Sequence, residues 1–133
     1  MPGSTHQALS AYSKAAIEMA TPRQLEAQLL LKAASHLQRV LDHWTDKQSG
    51  LSEAVLYNRR LWIVFIDAIM RDDNQLPIAI RQNLLNLGVF VMAETYSLMT
   101  KPKPEHAANL ISINRRIAAG LEGNSRTAPP QAA

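Results

Sequence analysis

The chain contains no cysteine, which removes disulfides, thiolate nucleophiles and cysteine metal ligands and suits a reducing compartment. Glycine is scarce at five residues, too few for a glycine-rich phosphate cradle. Two Trp, three Tyr and two Phe leave little aromatic surface on which bases could stack. No charge of one sign dominates: 14 Lys and Arg against 11 Asp and Glu give +3, spread along the chain rather than gathered in runs, which argues against direct nucleic-acid binding. No window holds eighteen uninterrupted apolar residues, so membrane insertion is not expected. The opening MPGSTHQALSAYSK lacks a basic stretch followed by an apolar block, so a Sec-type signal is not expected either. These absences together predict a cytoplasmic protein.

What is there is enough for one core. The 133 residues are 47% apolar and 19% charged, a globular composition at the size of one domain. The pattern predicts an all-α fold, a compact bundle of about five helices, as a single domain over residues 1–122 with a disordered tail over 123–133.

Caps and breakers place the helices. Residues 7–19 (QALSAYSKAAIEM) form a short N-terminal helix rich in Ala. TPRQ then stops it and starts the next, with Thr21 as cap, Pro22 at the first helical position and Gln24 where a capping box has Glu or Gln. The second helix is expected from Pro22 to Asp46, on a stripe of Leu25, Leu29, Ala33, Leu37, Val40, Leu41 and Trp44. Ser52 is expected to cap a third helix ending near Arg71. RDDNQ and Pro77 open a fourth over PIAIRQNLLNLGVFVMAETYSLM, and a fifth runs from Pro104 to Gly120 on Leu110, Ile113, Ile117 and Leu121.

Two stretches share three letters. YNRRLW (57–62) and INRRIAAGL (113–121) both carry Asn-Arg-Arg among apolar residues. At roughly 100° per residue, Asn58 and Arg59 border the stripe of Val55, Trp62, Phe65, Ile66 and Ile69, while Arg60 points away. Asn114 also borders its stripe, but Arg115 and Arg116 both project from it. The flanks do not align, so this is not an internal repeat. Structurally, the asparagines would satisfy backbone groups and Arg59 would lay its stem on the core. As a recognition surface, Arg60, Arg115 and Arg116 would take a carboxylate, a helix C-terminus or phosphate.

Catalytic and metal constellations are wanting. His36 and His43 share a face but sit two turns, roughly 10 Å, apart, too far for one ion. Neither Glu-x-x-His nor His-Glu-x-x-His occurs, and no serine has a base near it in sequence. No catalytic residue, cofactor or metal is predicted, and the chain is not expected to be an enzyme.

The fourth predicted helix is apolar on most sides. One seam is Leu84, Leu87, Val91 and Leu98; another is Leu85, Val89, Met92, Tyr96 and Met99. Such a helix is usually central in a bundle. Alternatively, one seam lines a groove for an amphipathic partner helix, where adaptable Met92 and Met99 would help.

From about Ala11 to Gly120 the ordered set SAYSKAA, TPRQLEAQLLLKAA, AVLYNRRLWIVF, LPIAIRQNLLNLGVFV and LISINRRIAAGL resembles the FlaF flagellar biosynthesis regulators. The Asn, Arg and Trp of YNRRLW are the strongest match and the closing INRRIAAGL the next. The resemblance implies a small helical cytoplasmic protein needed for flagellin production and secretion, acting opposite an FlbT-type repressor and, in some members, chaperoning flagellin. It implies flagellin as partner, with the FlbT-type repressor or the flagellin transcript as the alternative. The candidate partner-binding residues are Arg59, Arg60, Trp62, Met92, Tyr96, Asn114, Arg115 and Arg116. The oligomeric state is left open.

Overall fold

The computed structural model describes residues 22–45 and 49–126. Four helices account for most of them: α1 Pro22–Asp42, α2 Leu51–Met70, α3 Ile78–Thr100 and α4 Pro104–Arg126. The described residues contain no strand, in keeping with the all-α expectation. The predicted helix over 7–19, its neighbour cap Thr21 and the last seven residues of the expected tail lie outside the described residues.

Short connections make each helix antiparallel to the one before, so the bundle runs up-down-up-down. His36 meets Tyr57 edge to face, with ring centroids 4.9 Å apart, and fixes α1 against α2. Helix α1 packs on α2 and α4, and α3 packs on α2 and α4, so α1 and α3 are diagonal, as are α2 and α4. The α1–α4 contact is the most extensive. Small residues explain it: Ala27, Ala33 and Ala34 on α1 and Ala107 and Ala118 on α4 are buried, and alanine lets two helix axes approach closely. Leu30, Leu37, Leu98 and Leu110 fill the space between, with Trp62 reaching in from α2.

Three helix ends differ from expectation. α1 stops at Asp42 rather than Asp46, where His43 and Trp44 turn their amides to Val40 and Leu41. α2 is capped by Gly50 rather than Ser52: Gly50 adopts φ 77°, and its carbonyl accepts the Ala54 amide at 3.0 Å. A left-handed residue at that point is open to glycine at little cost, so backbone conformation overrides a hydroxyl cap. α4 does not stop at Gly120 but continues to Arg126. A helical glycine costs about 1 kcal/mol, and Leu121, packed on the core, offsets it.

The α2–α3 turn is held by side chains. Asn74 donates to the Ala68 carbonyl at 3.1 Å and accepts the Leu76 amide at 2.9 Å. Arg81, one turn into α3, donates to the carbonyls of Ile69 at 3.1 Å and Arg71 at 3.2 Å. Those acceptors sit at the end of α2, where carbonyls lack intrahelical partners and the dipole favours a cation.

Candidate partner-binding site

The shared trio resolves into an inner and an outer part. Asn58 and Asn114 are fully buried and face each other across the core. The Asn114 amide donates to the Asn58 side-chain oxygen at 2.7 Å and to the Leu30 carbonyl at 3.3 Å, and its oxygen accepts the Trp62 indole N–H at 2.9 Å. One side chain thus ties α1, α2 and α4 together. The Asn58 Nδ2 group is buried with no hydrogen-bond partner.

This placement sorts the eight candidate residues. Trp62 and Asn114 are interior partners of each other rather than surface groups. The arginines of both trios are exposed. Because Asn58 and Asn114 point at each other, Arg60 and the Arg115–Arg116 pair project outward on opposite sides of the bundle. They do not form one basic face. Arg115 reaches Gln38 of α1 at 3.3 Å, beside a shallow cleft walled by Leu41, Ile111 and Arg116. Arg59, expected to lay its stem on the core, is exposed: it sits on the flank of α2 that borders α3, four residues before Ile63.

Helix α3 is not central. Its first seam is the inward one, with Val91 and Leu98 buried and Leu84 and Leu87 half-buried. Its second seam faces out: Val89 is 70% exposed, Tyr96 69% and Met99 58%, while Leu85 and Met92 are half-buried. The reason is geometric. At Gly88 α3 lies close against α2, for a β-carbon there would lie 2.9 Å from Ile66. Glu94 marks the opposite side, accepting His106 Nδ1 at 2.9 Å and Asn109 Nδ2 at 3.1 Å from α4. At about 100° per residue, Leu85, Val89, Met92 and Tyr96 fall on the side of Gly88 away from Glu94. On α2, Arg59, Ile63 and Met70 fall on the side of Ile66 away from Trp62. The two flanks form one outward groove with Gly88 and Ile66 at its floor and Arg59 at its rim. Ile63 and Met70 were not foreseen as part of it. Their signal was weak, because each sits at the edge of a stripe whose centre is Trp62 and Ile69.

A second concavity lies between α1 and α2, a cleft of about 600 Å³ walled by His36, Arg39, Val40, Gly50 and Tyr57. Lys32 stands 5.8 Å over the Tyr57 ring. Burial pushes the His36 imidazole below its ordinary pKa, and repulsion from Arg39 and Lys32 adds to the shift. Among the described residues no three His, Asp or Glu side chains converge on one point. No helix among them is long and apolar enough to cross a membrane.

Fold and surface define a small up-down four-helix bundle with an apolar groove along one hairpin that none of the described residues covers. The model of the family described as flagellar protein FlaF matches residues 8–121, and the chain belongs to that family. No curated protein and no solved structure matches it.

Proposed function

We propose that this chain acts without catalysis in the cytoplasm, holding flagellin or a segment of it before export and so promoting flagellin synthesis and secretion. Membership of a flagellar family gives the context. The observation that carries the reading is the outward seam of α3, since exposed apolar side chains along a helical hairpin are costly in water unless something covers them. An amphipathic helix laid into such a groove buries its apolar face by alternating contacts at three and four residue steps. Arg59 stands at the rim of a groove whose other named side chains are apolar or aromatic, so affinity would rest mainly on apolar burial.

Calorimetric titration with the cognate flagellin monomer tests this, with the flagellin transcript leader as parallel titrant. Saturable flagellin binding with a negative heat-capacity change and little salt dependence is expected. Tyr96→Ala combined with Met92→Ala should weaken it about tenfold, equivalent to about 1.4 kcal/mol, with helical content unchanged. Unaltered affinity would move the site elsewhere. Steeply salt-dependent binding to the transcript alone would make the chain a nucleic-acid regulator instead.

A further inference from the structure

A different surface stands on the α1–α2 side of the bundle. Lys32, His36, Arg39 and His43 follow one another along α1 and its end at steps of four, three and four residues, which keeps all four within about 60° of one another around the axis. His36, Arg39 and His43 line the cleft between α1 and α2, with Glu53 and Tyr57 on its other wall, and Lys32 overhangs the Tyr57 ring. On α2, Arg60 follows Tyr57 by three residues, and antiparallel packing from the His36 and Tyr57 contact sets it about level with Lys32. Glu53 is the one carboxylate among the described residues that line the cleft. None of the ion pairs among the described residues engages Lys32, Arg39 or Arg60, and all three are exposed. No side chain caps the start of α2, which begins in the same wall at Gly50, so its leading amides add partial positive charge there. The His36 imidazole registers that charge: it is pushed below its ordinary pKa by burial, and further by Arg39 and Lys32.

We infer that the α1–α2 cleft is a docking site for a short acidic segment of a partner protein, whose Asp or Glu carboxylates rest on Lys32, Arg39 and Arg60. The dimensions agree. Lys32 to His43 spans about 16 Å of helix, the reach of about five extended residues. The basic side chains rise by about 5–6 Å from one to the next, and alternate side chains of an extended segment by about 6.6 Å, so carboxylates at every second position meet successive cations. Arg39 and Arg60 can each take a carboxylate through two parallel N–H donors. Val40, Ala54 and the Tyr57 ring provide an apolar floor for the stems of those side chains. A nucleic acid suits the cleft less well, because its one aromatic platform, Tyr57, is already engaged by His36 and Lys32 and single strands bind by stacking bases on such platforms. Arg60 of the first trio thus works with α1, while its neighbour Arg59 borders the α2–α3 groove. Affinity here comes from charge and falls with salt, and the site stands whether or not the α3 seam holds flagellin.

An NMR titration of the isotope-labelled full chain tests this, with a peptide of about six residues alternating Glu and Ala as the probe, since chemical shifts register weak binding and locate it. Saturable shifts concentrated in residues 32–43 and 53–60 are expected, with affinity falling about tenfold as salt rises from about 50 mM to about 300 mM. The same peptide with Gln in place of Glu should leave the spectrum unchanged. Lys32→Glu with Arg39→Glu, both at exposed positions, should abolish the shifts at unchanged helical content. Glu53→Gln should tighten binding several-fold by removing a repelling carboxylate, an effect that a merely structural role would not give. The groups around His36 are Lys32, Arg39 and His43 on the α1 side and Glu53 and Tyr57 on α2; with carboxylates bound among them, its ring should titrate at higher pH than in the free chain. Met92→Ala with Tyr96→Ala should leave all of this unaltered, which separates the cleft from the α3 seam. Absent shifts, equal binding of the Gln peptide, or binding indifferent to the charge reversal overturns the docking. Tighter binding of a short single-stranded RNA in a parallel titration, displacing the peptide and lost in the same charge reversal, would assign the cleft to phosphates and overturn the acidic segment as its occupant.

Discussion

At the scale of single residues, Asn114 holds the most concentrated set of interactions in the core. Its amide uses both ends, so Asn114→Ala strips the Trp62 indole and Asn58 of their partners while leaving both buried. Unpaired buried groups cost about 1–3 kcal/mol each; the variant should lose about 3 kcal/mol, read as a shifted denaturant midpoint at constant slope. Asn58→Leu should cost less, because it also removes the Nδ2 donor that has no partner in the native core. Equal losses would show that the two asparagines are interchangeable and the network is not centred on Asn114. A helical wheel placed both asparagines beside their stripes, yet it gives only direction around one axis. That the two would bond each other depends on which helices lie across the core, a tertiary fact that no single stripe carries.

At the scale of elements, the α2–α3 hairpin is fastened at its turn by Arg81, whose fork takes two carbonyls from the end of α2. Arg81→Ala should destabilise by about 1 kcal/mol, the usual net worth of such a contact with its dipole term. Amide exchange should rise most in residues 66–71; a uniform rise along the chain would contradict a local capping role. Four of the helices were legible from stripes and breakers, and the ends were less so. Gly50 displaced Ser52 as cap because only backbone geometry reveals a left-handed residue. The two seams of α3 were separable in sequence as well. Which one faced inward was not, since both are apolar and the choice is made by Gly88, where the missing side chain lets α2 come close.

At the scale of the whole molecule, the α1–α2 cleft gives stability a dependence on pH. His36 is held below its ordinary pKa, so the unfolded chain takes up the proton first, near about 6.5. The stability it contributes is complete above that value and is lost as pH falls through the window down to the depressed folded value. His36→Gln should flatten the decline in melting temperature as pH falls below about 6.5, with the difference shrinking at high salt as Arg39 and Lys32 are screened. An unchanged profile would assign the decline to other groups. Glu26, raised by burial against the pull of Arg23, works in the opposite sense, gaining stability as pH falls into the carboxylate range. The cleft itself was not legible in the sequence, because its walls come from two helices and a turn brought together only by antiparallel packing.

The α1–α4 seam alternates buried alanines with Leu30, Leu37, Leu110 and Ile111, and the alanines alone would hold almost as well one helical turn, about 5.4 Å, further along. The asparagine pair forbids the slide. Trp62, Asn58 and the Leu30 carbonyl can all reach Asn114 at one axial offset only, so the polar link works as an index mark, setting where the helices stop relative to one another. That mark also sets the alignment of the hairpin carrying the groove, so the outward apolar surface inherits its register from a hydrogen-bonded cluster that no partner touches.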